Sequence, residues 1–375
     1  MISRRGVLAG GLAVSVSGPV LAQSRVAVGK IRLENGRVNI DTTLGGKGPF
    51  NFVMDTGAVV SGISPTLATK LGLKKVRDVR LAGKVFPLYV ARDAVFGGAV
   101  GQPEIGLFGL SSELRGGDGL LGAGLITSAD SELDFDRLEW RVHPDGLADR
   151  AGYTEIESSI DDLPDVNGSH LISATVKVNG QPVRLIVDTG APRAVSLRHD
   201  VGRRLGLWAA DKPFSPTPLI GIGGLGADPG RTVRAARLDV GPVGLDSPLV
   251  TVRPDKAVNF ADYEGILGLP AIQRMNLSVD TKRRKLFVRR NGRDTGFEPL
   301  SRTGLWLDED RGGAKVRLVS PGSPGAAAGL KPGDRITGNS TFGALLARVN
   351  GSPSSLEVRD ATGVRTVNLT PADYL

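Results

Sequence analysis

The chain has 375 residues, of which 40% are apolar and 52 are glycine, enough for two or three turn-rich globular domains and too ordered in composition for a disordered chain. It contains no cysteine, which excludes disulfides, thiolate metal sites, a cysteine nucleophile and lipid attachment through sulfur. The net charge of +8 comes without any nucleic-acid-binding motif, and its densest cluster, Lys282-Arg283-Arg284-Lys285, separates two strand-like runs and reads as a solvated hairpin turn.

Residues 1–22 form the first distinct segment. Arg4-Arg5 precedes a short glycine-rich apolar stretch that ends at Val20-Leu21-Ala22, where small residues suit cleavage. The arginine pair resembles a twin-arginine export signal, and an ordinary secretory signal is the alternative; both place the mature protein in the bacterial periplasm or outside the cell. Gly10, Gly11, Ser15, Gly18 and Pro19 interrupt the stretch, so a stable membrane span is not expected.

From residue 26 the pattern is strand and turn. Val38–Leu44 alternates and turns at Gly45-Gly46-Lys47-Gly48 into the run Phe52-Val53-Met54, which ends in Asp55-Thr56-Gly57-Ala58. A short helix is expected after Ser64-Pro65, with Ser64 as cap and a stop at Gly72. Leu120-Leu121-Gly122 follows, then a ribbon made of Glu132–Asp136 and Glu139–Val142. The order then repeats. Leu171–Val178 turns at Asn179-Gly180 into Leu185-Ile186-Val187 and Asp188-Thr189-Gly190-Ala191. A helix capped by Ser196 and stopped at Gly206, the triplet Ile266-Leu267-Gly268, and a ribbon made of Asn276–Asp280 and Lys285–Val288 complete the second copy. The reading is therefore one β-rich lobe over residues 26–145, a polar acidic connector over 146–168, and a second lobe over 169–295.

Two carboxyls from equivalent half-sites suit water-mediated hydrolysis. A close pair cannot both ionise easily, so one serves as base while the other donates a proton. Gly57 and Gly190 allow backbone to approach the carboxylates, and Thr56 and Thr189 can hydrogen-bond across the junction. The doubled Asp-Thr-Gly-Ala with its later apolar-apolar-Gly resembles the retropepsin-type aspartic peptidase unit. Two units in one chain are similar to the pepsin arrangement. The resemblance implies a mostly β fold with two pseudo-symmetric lobes, Asp55 and Asp188 as catalytic pair, Thr56, Gly57, Ala58, Thr189, Gly190 and Ala191 as their support, a peptide or protein substrate, a monomer, and neither metal nor organic cofactor. Ala58 and Ala191 stand where a hydroxyl would favour the charged carboxylate, so the pair is expected to titrate high and to work at mildly acidic to neutral pH. A non-hydrolytic peptide-binding protein on the same fold is the rival reading.

Gly221-Ile222-Gly223-Gly224-Leu225-Gly226 has the letters of a dinucleotide fingerprint, but Pro229 and Gly230 stand where its helix should begin. A hairpin flap over Gly221, Ile222, Gly223 and Gly224, or a plain surface loop, suits it better; a dehydrogenase is the weakest reading. The three histidines, His143, His170 and His199, are too dispersed for a metal site or a serine triad. Residues 301–375 form a small α+β module that resembles a bacterial PDZ domain through Gly304-Leu305-Trp306-Leu307 and Ser323–Ile336. In that family the glycine loop takes a peptide's terminal carboxylate, and a structural role is the alternative here.

Overall fold

The computed structural model describes residues 25–375 except 82, 111–113, 115–116, 148, 163–169, 222–223, 226–227, 255–261, 295–299, 311–312 and 338–340; the expected export signal lies outside the described residues. The protein is mostly β. Its chain divides into two compact units, one of residues 1–194, 238–245 and 265–296, the other of 195–237, 246–264 and 297–375.

The first unit contains both Asp-Thr-Gly-Ala copies. In the first copy, β1 (Arg37–Leu44) pairs antiparallel with β2 (Lys47–Asp55), and β2 runs parallel to a later strand, here β6 (Gly119–Gly122), with Asp55 opposite Gly122. The second copy repeats this with β7 (His170–Val178), β8 (Gln181–Asp188) and β9 (Gly265–Gly268), with Asp188 opposite Gly268. The two tight turns differ in chemistry but share a left-handed requirement: Gly45 and Gly46 sit at φ 57° and 72°, Asn179 and Gly180 at 51° and 78°. Phe52, Met54, Leu121, Leu185, Val187 and Leu267 are buried, so each aspartate leaves the end of a core strand.

Between β2 and β6 lie α1 (Pro65–Leu71) and a long hairpin of β3 (Lys75–Leu81) and β4 (Lys84–Phe96), with β5 (Val100–Gly109) beyond it. Helix α1 begins where expected: Ser64 Oγ accepts from the Leu67 amide at 3.2 Å, and Gly72 ends it at φ 70°. β3 is the edge of a thirteen-stranded sheet. The two ribbons also form, as Asp130–Asp134 with Glu139–His143 and Met275–Asp280 with Lys285–Arg290. The expected connector is partly strand. Thr154–Glu155 pairs with the second ribbon and Ser158–Asp162 pairs with β7, and its acidic side chains meet arginines nearby: Glu155 with Arg283 at 2.6 Å and Asp161 with Arg184 of β8 at 3.0 Å.

In the second unit, strands Ser215–Thr217, Gly230–Arg234, Leu249–Val252 and Val195–Leu197 form a sheet. Ser196 is a correction. It belongs to a strand, opposite Thr251, and the helix His199–Arg204 starts after Arg198 without a side-chain cap; strand pairing outcompeted the capping role that the residue type suggests. The C-terminal part is an antiparallel sheet of β10 (Leu305–Asp310), β11 (Gly313–Val319), β12 (Arg335–Thr337), β13 (Ser354–Asp360) and β14 (Gly363–Leu369), with α2 (Phe342–Gly351) preceding β13. Leu305, Val316, Ile336, Leu345, Val349, Val358 and Leu369 form its own core.

Candidate active site

Each aspartate closes a tight turn on itself. The Gly57 amide donates to Asp55 Oδ1 at 3.1 Å, and the Gly190 amide donates to Asp188 Oδ1 at 2.8 Å. The Ala58 and Ala191 amides donate back to the Asp55 and Asp188 carbonyls. Gly122 and Gly268 pack beside these turns: the Ala123 amide donates to Ala58 O and the Leu269 amide to Ala191 O, both at 3.0 Å. A Cβ on Gly122 would lie 2.8 Å from Ala58 O, and one on Gly268 2.0 Å from Arg193 O. This is why a glycine follows the apolar pair in each copy.

The two copies lock together through their threonines. The Thr56 hydroxyl donates to Val187 O at 2.6 Å and accepts from the Thr189 amide at 2.9 Å; the Thr189 hydroxyl donates to Met54 O at 2.6 Å and accepts from the Thr56 amide at 3.1 Å. Both side chains are buried. Replacing Thr56 by valine leaves the Thr189 amide and Val187 carbonyl without that hydroxyl, so a loss of about 2 kcal/mol is expected. Urea unfolding measures it, and Thr189→Val should cost a similar amount.

That lock brings the carboxyls together. A Cβ on Gly57 would fall 2.3 Å from Asp188 Cγ, and one on Gly190 would fall 2.5 Å from Asp55 Cγ. Each carboxyl therefore rests on the other copy's glycine, in the space where a side chain would be. Burial and the neighbouring Asp55 charge, with a hydrogen bond to Asp55, raise the Asp188 pKa well above the ordinary carboxylate range against the opposing pull of the Gly190 and Ala191 amides. Two carboxyls in contact, one of them favouring its proton, can hold a single proton between them.

A cavity of about 90 Å³ opens beside Asp55, lined by Arg37, Val53, Leu114, Gly119, Leu120 and Gly190. Arg37 Nη1 donates to Leu114 O at 3.2 Å. Val53, Leu114 and Leu120 also belong to a cluster with Phe86, Phe108 and Leu110, onto which Ala58, Val60, Val79, Leu81 and Leu88 pack. The hairpin β3–β4 is thus seated on the wall of the cavity. The sequence offers Leu81-Ala82-Gly83-Lys84 as the first copy's only counterpart of the glycine-rich flap; Leu81 and Lys84 are the paired ends of this hairpin, Ala82 lies outside the described residues, and the alternation that marks a half-buried strand is blurred by a basic, exposed β3. Nothing in the sequence pointed to Arg37.

The flap expected at Gly221–Gly224 is only partly described. Ile220 pairs with Leu225 and Gly221 with Gly224 in a short ribbon, while Ile222 and Gly223 lie outside the described residues. The next element is the strand Gly230–Arg234, not the helix a dinucleotide site requires. Among the remaining residues, His143 is buried with Nε2 3.2 Å from Glu132 Oε2, and His170 Nδ1 lies 2.9 Å from Thr127 Oγ1. In the C-terminal module, Gly304 sits at φ 69° with its amide given to Ser301 Oγ at 3.1 Å; Leu305 and Leu307 are core residues, and Trp306 Nε1 donates to Asp308 Oδ1 at 3.1 Å.

Among known proteins, solved structures similar to this chain include a retropepsin-like aspartic protease from Rickettsia conorii (17% identity, 36% of this chain and 90% of that one, TM-score 0.28). Others are an aspartic proteinase from Irpex lacteus (13%, 73% and 100%, 0.46) and Basic 7S globulin from soybean (10%, 71% and 95%, 0.42). No curated protein matches the chain. Residues 174–271, which carry Asp188, Gly190 and Gly268, match a protein-family model described as Aspartyl protease.

Proposed function

We propose that the protein is an exported aspartic endopeptidase. The observation that carries this reading is the reciprocal seating of Asp55 and Asp188, each against the other copy's glycine, with one carboxyl biased toward its proton. A water held by the pair loses a proton to the ionised carboxyl as its oxygen attacks a peptide carbonyl. The protonated carboxyl gives its hydrogen to the carbonyl oxygen. Collapse of the tetrahedral species then breaks the C–N bond, with the nitrogen taking the proton from the first carboxyl and one hydroxyl of the species returning its proton to the second, which leaves a carboxylic acid, an amine and the pair as it began. The cavity beside Asp55 supplies a place for a substrate side chain next to the scissile bond. Incubating the purified protein with a peptide library across pH 3–8 tests the reading. Hydrolysis is expected to peak between mildly acidic and neutral pH, because Asp188 keeps its proton above the usual carboxylate range. Peptide binding without cleavage at any pH would favour the non-catalytic rival.

The C-terminal module is proposed as a PDZ-like domain acting as a brace. The Phe214 amide donates to Ser320 Oγ at 2.8 Å, the Ser301 amide to Ser215 Oγ at 2.8 Å, and Tyr374 Oη to Phe214 O at 2.7 Å. Burial raises the Tyr374 pKa, so the phenol stays a donor. Tyr374→Phe is expected to destabilise the protein by about 1 kcal/mol in chemical denaturation. Because Gly304 spends its amide internally, peptide capture by this loop is the secondary reading; titration with a labelled C-terminal peptide decides between them.

A further inference from the structure

The hairpin seated on the cavity wall has a charge pattern that neither its packing nor the carboxyl pair explains. Between Lys74 and Lys84 the chain carries Lys74, Lys75, Arg77, Arg80 and Lys84 against one carboxylate, Asp78, which Lys75 already holds at 3.0 Å. The strand register assigns these cations to faces. Directly opposite residues of an antiparallel pair share a face. Arg77 stands opposite Leu88, Val79 opposite Phe86, and Leu81 opposite Lys84. Val79, Leu81, Phe86 and Leu88 are the residues that pack toward Val53 and Leu120. Arg77 and Lys84 therefore rise from the cavity-side face, at either end of its apolar stripe. Arg80 and Asp78 rise from the other face, opposite Val85 and Pro87.

Arg77 is exposed and has no carboxylate within ion-pair distance among the described residues. A third cation, Arg37, lines the cavity itself. A chain segment lying beside the β3–β4 face would thus meet positive charge at both ends of an apolar strip and in the adjoining cavity. The outer edge of β3 is unpaired among the described residues of its sheet, and Val79, Leu81 and Leu88, on the same face as Arg77, are only partly buried. The hairpin consequently offers backbone, apolar surface and cations together.

We infer that this hairpin selects the substrate class: extended peptides with an apolar residue at the cleavage site flanked by acidic side chains. The inference rests on the peptidase reading for its cleavage arm, but not for its binding arm. Arg77 acts as a specificity-determining residue by attraction at an exposed site. That effect is modest per contact and weakens with salt.

Three peptides sharing one apolar centre and flanked by Glu, Gln or Lys test it, with binding to the full-length Asp55→Asn protein followed by fluorescence anisotropy. The Glu peptide is expected to bind about tenfold more tightly than the Gln peptide at low ionic strength, and the Lys peptide more weakly than both. Raising the salt to about 0.5 M should close most of the gap. Arg77→Gln should reduce the Glu-over-Gln preference about threefold and leave the Gln peptide's affinity unchanged, while Arg77→Lys should retain the preference. Equal binding of the Glu and Gln peptides, or a preference untouched by Arg77→Gln, overturns the inference. Cleavage by the unaltered protein separates the two claims: hydrolysis without charge preference sinks the selectivity and keeps the peptidase, whereas Glu-selective binding without hydrolysis does the reverse.

Discussion

Asp188→Asn is expected to abolish the proposed peptide hydrolysis while making the protein more stable at neutral pH. The amide is nearly isosteric with the carboxyl and can still accept from the Gly190 amide, so the fold survives. It cannot hand over a proton or carry the charge that activates water, and a loss of at least about 10³-fold in kcat/KM is expected. The stability effect follows from the proton count. The folded-state pKa of Asp188 lies above its unfolded value, so between the two the folded protein binds more protons than the unfolded chain. Stability therefore falls as pH rises through that window. Asparagine removes the penalty, and the melting temperatures of variant and parent, close near pH 4, should separate by pH 7 with the variant higher. Calorimetry at both pH values measures it. A variant less stable than the parent at pH 7 would show that the charged carboxylate is favoured in place, contrary to the burial and the Asp55 contact described above. Asp55→Asn should lose hydrolysis to a similar extent.

Gly57→Ala and Gly190→Ala are expected to cripple the site by displacement instead of by removal of chemistry. The added methyl would stand 2.3 Å from Asp188 Cγ in the first case and 2.5 Å from Asp55 Cγ in the second. Neither distance is tolerable for non-bonded carbon, and the opposing carboxyl is tethered by its own turn amide, so it must move by about an ångström. A shift of that size costs on the order of 10²-fold in rate. Overpacking in a buried junction adds about 1–3 kcal/mol of destabilisation. Both can be read from one preparation, as kcat/KM and as the urea midpoint. Full activity in either variant would mean that the carboxyls do not depend on this close approach.

Much of the half-site was legible beforehand because its signals are local. Alternation in Val38–Leu44 and Leu171–Val178, left-handed turns at Gly45-Gly46 and Asn179-Gly180, and Ser64 followed by Pro65 each act over a few residues, and each appears in the structure. Ser196 misled for the same reason: its local tendency to cap was real, but a non-local strand partner, Thr251, prevailed. Of the hairpin of β3 and β4 the sequence shows only Leu81-Ala82-Gly83-Lys84, because the basic edge strand hides the alternation, and only its packing on Val53 and Leu120 reveals which face is inner. Arg37 was invisible because its relation to Asp55 depends on a cavity closed by Leu114 and Leu120, far along the chain.

By itself the sequence determined that a carboxylate ends a core strand twice, each time with a hydroxyl, a glycine and an alanine behind it and an apolar-apolar-glycine triplet still to come. Those are matters of residue type and short-range geometry. Only the tertiary structure decided that the two carboxylates touch, that Thr56 and Thr189 cross-bond the two copies, and that burial drives the Asp188 pKa upward. Each of these requires strands distant in sequence to meet. The free energy of a buried charge is set by what surrounds it, not by its neighbours in the chain.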